Sequence, residues 1–115
     1  MPNEYIKSSS SIQFDINQFS ILTEHFSILK EIANILRTNV KSEIIISGYT
    51  DNIGSMEHNY RLSKQRVDST KLYFINYGIQ PNRISSLIYG EHFPKSTNLT
   101  TEGKIKNRRV ELNIL

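Results

Sequence analysis

Seven residues near the middle of the chain constrain what it can fold into. Glu43-Ile44-Ile45-Ile46-Ser47-Gly48-Tyr49 is a β-branched run of strand length, apolar on both faces. A run apolar on both faces is expected in the centre of a sheet. Turn chemistry follows at once in Thr50-Asp51-Asn52-Ile53-Gly54. Ser55 is then placed to cap a helix from Met56 to about Tyr77, and Gly78 stands at its C-terminal cap position.

The rest of the chain is read around this strand–turn–helix unit. Leu22, Phe26, Leu29, Ala33 and Leu36 recur at helical steps, flanked by Ile28, Ile32 and Ile35. They predict an amphipathic helix running to about Thr38, capped by Ser20 or Thr23. Ile12 to Phe14 is a short strand candidate, and Ile84 to Tyr89 a third strand. Gly90 to Gly103 reads as a loop. Arg109 to Ile114 is a fourth strand, with Val110, Leu112 and Ile114 on one face and Arg109, Glu111 and Asn113 on the other. Ser8 to Ser11 has no apolar period and reads as linker, so residues 1–11 are expected to be a lead-in and residues 12–115 one domain. The fold class is α+β, in the order β-α-β-α-β-β. It forms a two-layer sandwich with two main helices on one face of a mixed sheet.

Composition excludes several classes. The chain of 115 residues has no cysteine, which removes disulfides, thiolate metal sites and a lipidated cysteine within this sequence. No apolar run approaches the roughly 20 residues that span a bilayer. No apolar core follows Met1–Lys7, so the sequence shows no signal peptide. Either the protein is cytosolic, or its targeting segment lies outside this sequence. His25, His58 and His92 sit in no zinc or nucleophile motif, and neither Gly48 nor Gly54 has the neighbours of a phosphate loop. No catalytic residue, metal or cofactor is therefore expected. A net charge of +3 permits an anionic partner. The basic residues are dispersed among acidic ones, without the basic and aromatic stripe of a nucleic-acid binder.

One residue departs from its helical surroundings. Arg66 lies beside Val67 and one turn from Leu62 and Thr70, at the border of the buried stripe, where a cation requires a partner. Asn59 is nearly in register with it, and Asp51 lies at the carboxyl end of the Ile-rich strand, the edge that α/β folds use for ligands. Asp51 and Arg66 are thus placed across a small cleft. Two readings stand: a structural ion pair, or a clamp that grips a zwitterion by its ammonium and its carboxylate.

The spacing Thr50-Asp51-Asn52-Ile53-Gly54-Ser55, then Asn59, then Leu62-Ser63-Lys64-Gln65-Arg66, resembles the signature of the OmpA-like peptidoglycan-binding domain. The likeness continues through Gly78-Ile79, Arg83-Ile84, Gly90-Glu91, Pro94, Asn98, Thr101-Glu102-Gly103 and Asn107-Arg108-Arg109-Val110-Glu111. It covers about residues 12 to 114. The resemblance implies non-covalent binding of the peptidoglycan stem peptide, with Asp51 taking the ammonium and Arg66 the carboxylate of diaminopimelate. Thr50, Asn59, Leu62, Asn107 and Arg109 match motif positions and are candidate pocket residues. It further implies a periplasmic domain of a Gram-negative envelope protein, anchored to a membrane only through segments upstream, with other envelope proteins as further partners. Val67 and Thr70 depart from the family's usual Ala and aliphatic residue, and the cysteine pair of some members is absent. A scaffold of the same fold that no longer binds the wall is the alternative.

Overall fold

A computed structural model of the protein describes residues 8–115. Its elements are β1 (Ser8–Gln13), α1 (Phe26–Thr38), β2 (Ile44–Tyr49), α2 (Met56–Asn76), β3 (Ile84–Gly90), α3 (Thr101–Asn107) and β4 (Arg109–Ile114), with 3₁₀ turns at Thr23–His25 and Pro81–Arg83. The sheet order is β1-β4-β2-β3. β2 runs parallel to β3 and antiparallel to β4, and β4 is antiparallel to β1. The Ile-rich strand therefore lies inside the sheet, as its double-sided apolar character requires.

The helices cover one face. Ile12, Ile44, Ile46, Val110, Leu112 and Ile114 point from the sheet into one buried cluster with Leu29, Ile32, Ala33 and Leu36 of α1 and Val67 and Phe74 of α2. The strand pairing brings these residues together in rows: Ile12 and Gly48 flank Val110, and Ile44 pairs with both Ile84 and Ile114. Ser55 caps α2, its side chain accepting a hydrogen bond from the His58 N–H.

Three expectations change. Ser8–Ser11, read as linker, is strand, paired through Ser8↔Ile114 to Ser11↔Glu111. Residues 1–7 of the expected lead-in lie outside the described residues. The stretch after Gly90, read as loop through Gly103, ends in a third helix, so the order is β-α-β-α-β-α-β. Thr100 caps that helix by accepting from the Gly103 N–H at 3.0 Å. Finally, neither Ser20 nor Thr23 caps α1, whose N-cap is His25 without a side-chain bond. The preceding turn is instead tied to the sheet, with Nε2 of His25 accepting from the Gln13 N–H at 3.1 Å.

Helix α2 comes very close to the sheet at Gly48. A Cβ there would stand 2.5 Å from both the Ser63 carbonyl oxygen and Cγ2 of Val67. Gly48→Ala is expected to lift α2 from the sheet and cost about 1–3 kcal/mol. Denaturant unfolding checks this, and an unchanged midpoint would show that the helix yields freely.

Candidate functional site

The site lies where β2 ends and α2 begins. The backbone leaves the sheet at Thr50, whose N–H donates to the Gly90 carbonyl at 2.7 Å, and turns through Asp51. An Asx turn fixes the carboxylate: Oδ1 of Asp51 accepts from the Ile53 N–H at 3.1 Å. Its other oxygen, Oδ2, faces Nη1 of Arg108 at 3.4 Å. Arg108 is further held by its Nε donating to the Phe14 carbonyl at 2.9 Å.

Arg66 is wholly buried, with no exposed surface. It makes no direct ion pair with Asp51. Its Nε donates to the Gln18 carbonyl at 2.8 Å, Nη1 to Tyr49 at 3.1 Å, and Nη2 to Asp15 at 3.0 Å. The guanidinium also lies 5.3 Å from the ring centre of Phe14. One side chain of α2 thus fastens the β1–α1 connection and the end of β2 together. Burial pushes its pKa down to about 10, opposed by the nearby Asp51 charge and aided by that of Arg108. It remains cationic at neutral pH.

Ile16, Asn17, Asp51, Ile53, Asn59, Leu62, Arg66 and Arg108 line one cavity of about 30 Å³. The two clamp candidates therefore meet at one site, together with Asn59 and Leu62. Asn59 donates from Nδ2 to the Asp51 carbonyl at 3.3 Å. Leu62 stands in the cavity wall outside the main core cluster.

Three other candidates lie elsewhere. The Thr50 hydroxyl donates to the Asp51 carbonyl at 2.7 Å and shapes the turn without lining the cavity. Asn107 fastens the preceding loop: Oδ1 accepts from the N–H groups of Lys95 and Ser96, and Nδ2 donates to Asn98 and to the Ser96 carbonyl. Arg109 is on the opposite side of the sheet, 3.7 Å from the ring centre of Tyr49, with Nε 2.7 Å from Glu111. The arginine of this pair that reaches the cavity is Arg108. Strand alternation contains the signal: Arg108 shares the parity of core-facing Val110, whereas Arg109 shares that of Glu111 and Asn113. Ile16, Asn17 and Ile53 also line the cavity; the first two lie outside the quoted motif, and Ile53 lies within it without being marked as a pocket residue. Among the described residues no cluster of three or more His, Asp or Glu is disposed to hold a metal ion.

Comparison with known proteins places this arrangement. The model of the OmpA family matches residues 13–108. The chain belongs to the OmpA family. It is 37% identical over 102 residues to outer membrane protein A of Bordetella avium, covering 89% of this chain and 53% of that protein. It is 35% identical over 101 residues to peptidoglycan-binding protein ArfA of Mycobacterium bovis, covering 88% and 31%. The OmpA-family fold is matched in the crystal structure of the peptidoglycan-associated lipoprotein from Burkholderia pseudomallei, with a TM-score of 0.88, 23% identity, and coverage of 91% of this chain and 89% of that one. The chain spans about half the length of the first of these curated relatives and about a third of the second.

Arg66 serves this OmpA-family fold as a strut whatever else it does. Arg66→Ala should leave a buried gap and three carbonyls short of a donor, costing about 3 kcal/mol or more. Arg66→Lys should lose less, since it keeps the charge but not the fork of donors. Urea unfolding checks both. Wild-type stability in Arg66→Ala would remove the strut.

Proposed function

We propose that this domain binds peptidoglycan non-covalently through the free zwitterionic end of diaminopimelate in the stem peptide. In this way it anchors a larger envelope protein or complex to the cell wall from the periplasm. The observation that carries the reading is the charge set of the cavity. Asp51, Arg66 and Arg108 are each less than a tenth exposed and line the same small space. Burial of one anion and two cations around a cavity suits a ligand tip that carries both an ammonium and a carboxylate. An ordinary residue within a peptide offers neither charge from its backbone, so the tip is a chain end or a side chain with its own amino-acid centre.

In this reading Asp51 takes the ammonium. Its contact with Arg108 is long, at 3.4 Å, so an incoming cation displaces a weak partner. The carboxylate then faces Arg66 and Arg108. The name of the mycobacterial relative, which records peptidoglycan binding, supports the same ligand class. The action is binding without bond cleavage. Charge-assisted contacts contribute roughly 1.5–3 kcal/mol each, so a single site holds modestly and retention comes from the many stem peptides of the polymer.

A scaffold role without wall binding is the second reading. It is favoured by one observation, the engagement of Arg66 with three backbone carbonyls. Sedimentation with purified Gram-negative sacculi separates the two. The domain should co-sediment and release no soluble muropeptide over hours. Failure to co-sediment favours the scaffold, and steady release would reveal an enzyme.

A soluble diaminopimelate muropeptide should lose tenfold or more in affinity with Asp51→Ala, about 1.4 kcal/mol or greater. The lysine-type fragment, which lacks the second carboxylate, should bind the wild type clearly more weakly because it leaves a desolvated guanidinium without its anion. Titration calorimetry with melting curves alongside checks both. Equal affinity for the two fragments would rule out an arginine reading that carboxylate.

A further inference from the structure

The cavity is graded from floor to mouth. Its charged floor is buried, whereas Ile16 and Ile53, which line the same space, are 60% and 53% exposed. These are large apolar side chains kept at the entrance to a polar site, one from each of the two connections that form it. Neither belongs to a freely placed loop. The Ile53 N–H holds the Asp51 carboxylate at 3.1 Å. Ile16 is flanked by Asp15, whose carbonyl accepts from Arg66, and by Asn17, whose Oδ1 lies 3.0 Å from Nε2 of His58. Asn17 takes a left-handed φ of 57° there. The backbone contacts that set the charges therefore also fix the two isoleucines.

Size decides what they touch. A volume of about 30 Å³ is more than the roughly 10–15 Å³ that one water needs and far below the roughly 300–1,000 Å³ of an ordinary ligand pocket. The space admits at most a small charged head group, and the atoms behind that head lie across the mouth, between Ile16 and Ile53. A peptide backbone laid there would place amide dipoles against hydrocarbon at a cost; a run of methylenes gains by burial.

Resting on the zwitterion reading of the floor, we propose that Ile16 and Ile53 form an aliphatic gate that measures the methylene spacer between the charged tip and the peptide. Arm length is then part of what the site selects.

The test uses a homologous series of free diamino dicarboxylic acids: diaminoglutarate, diaminoadipate and diaminopimelate, with one, two and three methylenes between identical charged ends. NMR titration of the wild-type domain should show affinity rising up to about fourfold per methylene, the value of a fully buried group. In the Ile16→Ser, Ile53→Ser double variant the rise should flatten, with the three-methylene acid losing most affinity and the one-methylene acid least. Both residues are exposed, so the variant keeps its core; a melting curve verifies this. A wild-type series without slope overturns the gate. So does a variant that keeps the wild-type slope, or one that loses affinity equally for all three acids, which would mark the isoleucines as mere supports. Absence of binding by all three acids to the wild type would instead overturn the zwitterion reading beneath it.

Discussion

The structure turns on one guanidinium. Arg66 is buried without a carboxylate in contact, and its hydration is replaced by three backbone carbonyls, two from the β1–α1 connection and one from the end of β2. Desolvating a cation is costly, and carbonyl dipoles arranged around it offset that cost only if all of them arrive together. The β1–α1 connection, the end of β2 and the helix α2 are therefore fixed by one shared requirement. The cavity is a by-product of the same constraint, because the residues that satisfy Arg66 leave Asp51, Asn59 and Arg108 facing a common space.

This explains which parts of the molecule were legible in the sequence. β2, β4, α1 and α2 announce themselves because burial imposes a period on apolar residues. Their bounds came out within a residue or two, apart from the start of α1. The first four residues of β1 escaped because consecutive serines carry no alternation. Their pairing with β4 is made by backbone groups, to which side-chain pattern is blind. α3 escaped for a different reason. It has one apolar residue, Ile105, and a glycine in its interior, both of which argue against a helix. Gly103 is there because the Thr97 carbonyl oxygen comes within 1.9 Å of where a Cβ would stand.

The site was legible in its chemistry and less so in its contacts. Asp51 and Arg66 were brought to one cavity by a spacing the chain displays openly. That Arg66 would pair with carbonyls could not be read, since any residue type supplies a carbonyl and only folding selects which. The choice between Arg108 and Arg109 was different, because the alternation that buries Val110 also turns Arg108 toward the helices and Arg109 away.

Asp51 stands two residues beyond the end of β2, and β2 has a neighbour on each side over most of its length. That placement has a mechanical consequence. Inter-strand hydrogen bonds run across the strand direction, so tension applied along β2 loads the ladders on both flanks at once, in shear, instead of peeling them one rung at a time. An edge strand such as β1 has one ladder to share the same tension. Like β4, the other interior strand, β2 is therefore better placed than either edge strand to resist a load that enters the chain at Asp51.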